Sequence, residues 1–361
     1  MVVPAEKTFF IRSLLFSGPC ISQSPQIQID GTLIAPDDIN KWAECASNTW
    51  IMFSQINGLN VYGKGKLNGN GLPWWQGSNL RYLQNNNFEH SFQYNHPRMG
   101  SCSRPTAMRF SQCNNLEVKG LTHINPPRNH ISINDCNNVK ISEIKIIAPE
   151  HSPNTDGIDI SSSTNIHIMN SIIRTGDDCV AINNKCSNII IEGIQCGPGH
   201  GLSVGSLGKG GDYAQVEGIL VKNCTLTRTT NGARIKTWPG GNGYARNITF
   251  ENILLHNTKN PIIIDQHYCN TTHCAEQMKA VKVSNVNYIN IQGTSVTKHA
   301  ILLDCSTHVP CTDIVFKNVN IKSISGEKTY STMNNAIFDP PPHPRRSIYF
   351  RSSVFKLGKN E

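Results

Sequence analysis

Asn154-Thr-Asp-Gly-Ile-Asp-Ile-Ser-Ser162, Gly176-Asp-Asp-Cys-Val-Ala-Ile-Asn-Asn184 and Pro198-Gly-His-Gly-Leu-Ser-Val-Gly-Ser206 can be laid on one another without a gap. Each holds an ionisable residue (Asp156, Asp178, His200) followed two and four places later by apolar ones: Ile158 and Ile160, Val180 and Ile182, Leu202 and Val204. The ionisable residues stand 22 positions apart, twice running. A chain that returns to one pattern at a fixed interval is coiling. Stacked coils bring corresponding residues onto adjacent strands roughly 4.8 Å apart. Two carboxylates and an imidazole are therefore expected in a row.

Short alternating runs recur along the chain: Asn115-Leu-Glu-Val, Asn138-Val-Lys-Ile, Asn165-Ile-His-Ile, Asn188-Ile-Ile-Ile, Gly218-Ile-Leu-Val, Asn247-Ile-Thr-Phe, Ala280-Val-Lys-Val and Asp313-Ile-Val-Phe. Their second positions are 23 to 33 residues apart. β-Branched residues in period 2, broken by Gly, Asn, Pro and Ser, predict strands, and no run is long enough for a helix. One strand-rich turn per interval predicts an all-β solenoid, most simply a right-handed parallel β-helix. An antiparallel sandwich or barrel is the competing architecture, and few hairpin signals favour it. Asn at the strand starts fits a coil, because Asn tolerates left-handed turns and can stack its amides.

Composition fits a secreted solenoid. No apolar run approaches the roughly 20 residues of a membrane span. Thirteen cysteines and the sequons Asn223-Cys-Thr, Asn247-Ile-Thr and Asn270-Thr-Thr favour an oxidising, secretory route. No CxxC pair points to zinc. The net charge of +8 is scattered, without a Lys/Arg block, and it suits an acidic polymer no better than an ordinary soluble basic surface. Cys179 with Cys196, on neighbouring coils, reads as a disulfide, and Cys305 with Cys311 and Cys269 with Cys274 as local pairs.

With Ile158, Val180 and Leu202 turned inward, Asp156, Asp178 and His200 sit where turn meets sheet, with Asp177 beside them. Three crowded carboxyls cannot all ionise freely, so at least one is expected to keep its proton to a higher pH. An acid beside an ionised carboxylate is what glycosidic hydrolysis requires. No GxSxG or Cys/His pairing suggests a nucleophilic serine or cysteine. One strand further, Ala233-Arg-Ile-Lys236 turns Ala233 and Ile235 inward and both cations outward. Arg234 offers a fork and Lys236 a point charge to a sugar carboxylate.

Ser152-Pro-Asn-Thr-Asp-Gly, Gly176-Asp-Asp-Cys, Gly199-His-Gly-Leu-Ser-Val-Gly and Arg234-Ile-Lys236, in this order and at coil spacing, resemble the four signature segments of the polygalacturonases, glycoside hydrolase family 28. The resemblance runs from Val3 to Thr332, and Arg128-Asn-His-Ile-Ser-Ile and Tyr244-Ala-Arg look like its plant branch. It implies hydrolysis of α-1,4 bonds between galacturonates in pectin or polygalacturonate, with inversion and with no metal or other cofactor, endo action being favoured over exo. It further implies that Asp177 is the general acid, that Asp156 and Asp178 hold the attacking water, and that His200 tunes or orients the acid. Arg234 and Lys236 would bind substrate carboxylates, with Asn154 lining the cleft and Tyr268 near the point of cleavage. The spacing itself separates neither Asp177 from Asp178 as the acid nor inversion from retention.

Partners other than the polysaccharide are not expected: no nucleic acid, no membrane, and a monomer. A solenoid over residues 1–332 and an irregular tail over 333–361 are expected. The chain opens as though inside an early coil, without a signal peptide, and so reads as lacking its N-terminal start. Two other functions compete: a catalytically defective pectin-binding relative, and a calcium-dependent pectate lyase on the same fold. Asp159 is expected to support Arg234, Trp74-Trp75 to pack under a loop, and His123, His130 and His167 to be surface or hydrogen-bonded residues. Loops at Asn85–Arg104 and Gly208–Tyr213 are candidates for closing the ends of a cleft.

Overall fold

Alternating isoleucines and valines bury one side of each short strand and leave the other to its neighbours, which a coil satisfies by stacking strand on strand. The computed structural model describes residues 1–42, 48–76, 103–269 and 274–338, with the backbone of Tyr349–Phe350. Nearly every regular element is a strand, and the described strands pair in parallel, as in the right-handed parallel β-helix that the repeats predict. Two compact units make up the chain: residues 1–182 with 186–200, and residues 183–185 with 201–361.

In the first unit, Leu14–Ser17, Thr49–Ser54, Thr106–Ser111, Ile131–Asn134, Ile158–Ser161 and Val180–Ile182 pair in succession. Ile158 registers with Val180 and Ile160 with Ile182, the alignment that the nine-residue windows predict. Elsewhere in the coils, Leu116 registers with Val139, Val139 with Ile166, and Ile166 with Ile189. The inward column is sealed: Ile131, Ile133, Ile158, Ile160 and Val180 have no exposed surface. Phe16, Phe53 and Phe110 stack through this interior with centroids 5.0 and 5.1 Å apart.

In the second unit, Leu202–Leu207, Asn231–Thr237, Asn260–Asp265, His299–Asp304 and Tyr330–Asn334 pair in succession. The boundary expected after Thr332 falls inside the last of these strands, and Ala336–Phe338 still pairs with Cys311–Lys317. Phe250, Tyr288 and Phe316 form a second aromatic stack. One repeat is displaced from the sequence reading. Ile248 registers with Val286 and Val286 with Ile314, whereas the sequence repeat places this position at Val281. Lys282–Ser295 is a single long strand, and the Ala280 run only leads into its first residues, Lys282 and Val283, which register with Tyr244 and Ala245.

Asparagines turn the corners. Asn115, Asn138, Asn165 and Asn188 in the first unit and Asn223, Asn252, Asn290 and Asn318 in the second all have left-handed φ. Their amides bond from coil to coil, Asn138 to Asn115 at 2.6 Å and Asn290 to Asn252 at 2.9 Å. All three expected disulfides are present, with Cα separations of 5.9, 6.3 and 5.8 Å. Asn270 and the stretch from Asn85 to Cys102 lie outside the described residues.

Two histidines depart from expectation. His123 and His130 are fully buried and neither ring nitrogen of either has a hydrogen-bond partner. The alternation turns His123 inward, in register with Leu67 and Ile146. Burial lowers its pKa to about 4, and His130 is pushed down by burial and by His123. His167 lies 3.6 Å from Glu192. Trp74 and Trp75 are buried, Trp74 edge-on to Trp42 and Trp75 donating to the Pro126 carbonyl at 3.1 Å.

Candidate active site

Ladder bonds fix the first unit's acids. The His130 N–H donates to the Asp156 carbonyl at 2.8 Å, and the Gly157 N–H donates to the Asp178 carbonyl at 2.8 Å, which sets Asp156 and Asp178 one coil apart. The turn before Asp156 is held from inside: the Thr155 hydroxyl lies 2.6 Å from the Ser152 hydroxyl and accepts the Gly176 N–H at 3.1 Å. The next coil offers its main chain to Asp177 instead, the His200 N–H donating to the Asp177 carbonyl at 2.7 Å. Glycine is favoured at position 199, where φ is +156° and a Cβ would crowd that carbonyl at 3.0 Å. The Cys179–Cys196 disulfide is anchored directly after the acids.

The side chains converge on Asp177. Its Oδ1 lies 2.9 Å from His200 Nδ1 and accepts the Asp178 N–H at 2.9 Å, while Oδ2 accepts from the Asn154 amide at 3.4 Å. Asp177 is 18% exposed at its side chain and His200 41%, whereas Asp178 is wholly buried. A solvent-facing carboxyl thus touches an imidazole, with a sealed carboxyl behind it. Sequence reasoning missed Arg104. Its guanidinium donates to the Pro153 carbonyl at 2.6 Å and to Asn154 Oδ1, and it feels the charges of Asp177 and Asp156. Burial lowers its pKa, Arg128 adds to that, and the two acids oppose it. No periodicity marks this residue, because its contact spans 50 positions. Asp159 accepts from the Asn129 amide at 2.7 Å and lies within the field of Arg109.

Asp177, Asp178 and His200 bring one ligand atom each within 4.8 Å of one another, the one such group of three among the described residues. The set does not fit calcium. That ion takes roughly six to eight oxygens, and here one donor is an imidazole nitrogen already at hydrogen-bond distance from Asp177.

In the second unit, Arg234 and Lys236 alternate with Ala233 and Ile235 as expected, but they are only 8% and 7% exposed. Buried cations require partners. Arg234 Nε donates to the Ser203 hydroxyl at 2.9 Å, and the guanidinium is felt by Asp265. Lys236 registers with Asp265, and its ammonium stands 5.2 Å from the centre of the Tyr268 ring. Trp238 backs that ring edge-on at 5.4 Å, and the Tyr268 N–H donates to the Thr237 carbonyl at 3.2 Å. Within this unit the expected Arg234, Lys236 and Tyr268 thus share one strand neighbourhood. Asp265, His267 and Trp238 join them without having been singled out.

Residues 1–339 match the family model of the glycosyl hydrolases family 28. The chain is 47% identical over 327 residues to "Probable polygalacturonase At3g15720" of Arabidopsis thaliana, covering 90% of this chain and 66% of that protein. It is 43% identical over 338 residues to a polygalacturonase of Persea americana, covering 93% and 70%. The chain thus spans about two thirds of the length of these relatives. Among solved structures, it resembles the endo-xylogalacturonan hydrolase of Aspergillus tubingensis with a TM-score of 0.79 at 25% identity, covering 98% of this chain and 91% of that one.

Proposed function

The chain belongs to the glycosyl hydrolases family 28 and is a glycoside hydrolase, and on that footing we propose that it cleaves the α-1,4 bonds between galacturonates of pectin or polygalacturonate, internally and with inversion. One observation carries the reading: a partly exposed carboxyl, Asp177, touches the His200 imidazole at 2.9 Å, and the sealed Asp178 completes the cluster. Asp177 donates its proton to the leaving glycosidic oxygen while the departing sugar takes the bonding pair. Asp156 and Asp178 hold a water that attacks the anomeric carbon from the other face and loses its proton to them. His200, bonded to Asp177, orients the acid. Arg234 and Lys236 bind carboxylates of the galacturonate units, and Tyr268 packs against a sugar ring.

Names of the relatives support polygalacturonate as substrate, and the imidazole in the donor set argues against the calcium lyase. Three disulfides among the described residues support an extracellular, cell-wall setting. Among these residues no helix is long and apolar enough to cross a membrane.

A reducing-end assay on polygalacturonate tests the proposal, with Asp177→Asn as control, product sizing and an ultraviolet scan. Saturated oligomers of mixed length from the parent alone are the expected result. Monomer alone would replace internal with terminal cleavage, and an unsaturated product would replace hydrolysis with elimination. No product from a folded sample would leave a pectin-binding protein.

A further inference from the structure

His267 stands between two carboxylates. Its Nδ1 lies 2.9 Å from Asp304 Oδ2 and its Nε2 lies 2.7 Å from Glu276 Oε2. Carboxylates only accept, so both contacts are hydrogen bonds only when both ring nitrogens carry protons. A third acid touches the same residue: the His267 N–H donates to Asp265 Oδ1 at 2.9 Å, and Asp265 registers directly with Asp304 on the neighbouring strand. Two carboxylates therefore clamp the imidazole while a third holds the same residue's main chain, and the strand beyond Asp265 carries Arg234, which attracts Asp265.

The outer acids are themselves anchored. Glu276 accepts from the Ser306 hydroxyl at 2.7 Å and lies 3.6 Å from His308, and Asp304 accepts from the Asn334 amide at 3.2 Å. On its own side, His267 lies between Asp265, which registers with Lys236, and Tyr268, whose ring stands beside the Lys236 ammonium.

We propose that His267, as an imidazolium clamped by Glu276 and Asp304, is a positioning residue that holds Tyr268 and Asp265 against Lys236, and that losing its proton releases this substrate-binding group. The proposal rests on the reading of Lys236 and Tyr268 as substrate-binding residues. Without the bridging charge, Glu276 and Asp304 lose the cation between them, and Asp304 and its register partner Asp265 are left as like charges side by side, which push apart. Geometry and proton affinity agree. Burial works to lower the His267 pKa, but its bonds to Glu276 and Asp304 outweigh burial and raise it. Because the folded value is raised, the clamp is complete at acidic pH and is lost as pH rises through that value.

Steady-state kinetics on polygalacturonate between pH 4.5 and 8 test this, using the parent, His267→Gln and Glu276→Gln, with thermal unfolding as the folding control. In His267→Gln, KM is expected to rise about fivefold or more at pH 5 with kcat within about twofold. The parent's climb in KM with pH should vanish in that variant. In Glu276→Gln the climb should move down by roughly one pH unit, since the imidazolium loses one of its carboxylates. Near-ultraviolet circular dichroism of the Tyr268–Trp238 contact between pH 5 and 8 gives a readout without substrate, changing in the parent and flat in His267→Gln. An inert parent whose dichroism follows this pattern would sink polygalacturonate as substrate and keep the clamp. An active parent with pH-independent KM and dichroism, or a His267→Gln enzyme that loses kcat instead of KM, would overturn the clamp.

Discussion

Asp177 receives its neighbours from three directions: His200 from the next coil, Asp178 from its own backbone, and Asn154 from the coil before. On the proposed mechanism, Asp177→Asn keeps the shape but removes the proton the acid would transfer, and Asp178→Asn removes a carboxylate that would hold the attacking water. Each is expected to lower kcat at least roughly 10²-fold with an unchanged unfolding curve. A rate near the parent's in either would strike that residue from the reaction. Arg104 acts at one remove, through Asn154 Oδ1 and the Pro153 carbonyl. Arg104→Ala should therefore cost about tenfold in kcat through a loosened Asn154, with the thermal midpoint within about 3 °C of the parent. If turnover holds while the midpoint falls, Arg104 is only structural. The acids and cations were legible because alternation says which side chains share a face. Which of Asp177 and Asp178 touches His200 was not, since that depends on how the turn places two adjacent carboxyls. Arg104 was invisible, because nothing local to it marks a contact 50 positions away.

A coil is only as regular as its corners. In the second unit, Asn252 has φ +54°, donates to Asn223 Oδ1 at 3.0 Å and accepts from Asn290 at 2.9 Å. Alanine there loses both amide bonds and must hold a left-handed backbone, which together should cost about 2 kcal/mol. Glycine loses the same amide bonds without the backbone strain, so Asn252→Gly is expected to recover about half of that loss. Urea denaturation of both variants decides it: equal losses would mean that the left-handed turn adds nothing beyond the ladder. Strand register was legible wherever an Asn corner precedes a short alternating run, as at Leu116, Val139, Ile166 and Ile189. It failed at Val281, one residue before a 14-residue strand in which Val283, Val286 and Tyr288 are all buried. Period 2 cannot choose among them, and the corner at Asn285 does.

Across the whole molecule, the same repeat that predicts the β-helix hides its inward polar residues. Alternation implies that His123 points inward, but a histidine in a strand reads by default as surface or bonded. Its burial without a partner was therefore legible only in the structure. That burial predicts an acid-sensitive fold. With the His123 pKa lowered from 6.5 to about 4, the folded state refuses a proton that the unfolded chain accepts. Stability from this residue is full above pH 6.5 and falls as pH drops toward 4, by about 2 kcal/mol at pH 5. His130, depressed by burial and by His123, steepens the same fall. The His267 clamp runs the other way, strongest in acid, so the two groups bound a working range from opposite sides. His123→Leu, between Leu67 and Ile146 in register, keeps an apolar neighbour and cannot titrate. It should shrink the stability difference between pH 7.5 and pH 5 by about 2 kcal/mol in urea unfolding. Relief of the partnerless ring nitrogens should also raise stability at pH 7.5. An unchanged pH slope would mean that the acid sensitivity belongs to His130 or to the carboxylates, and that His123 is protonated in the fold.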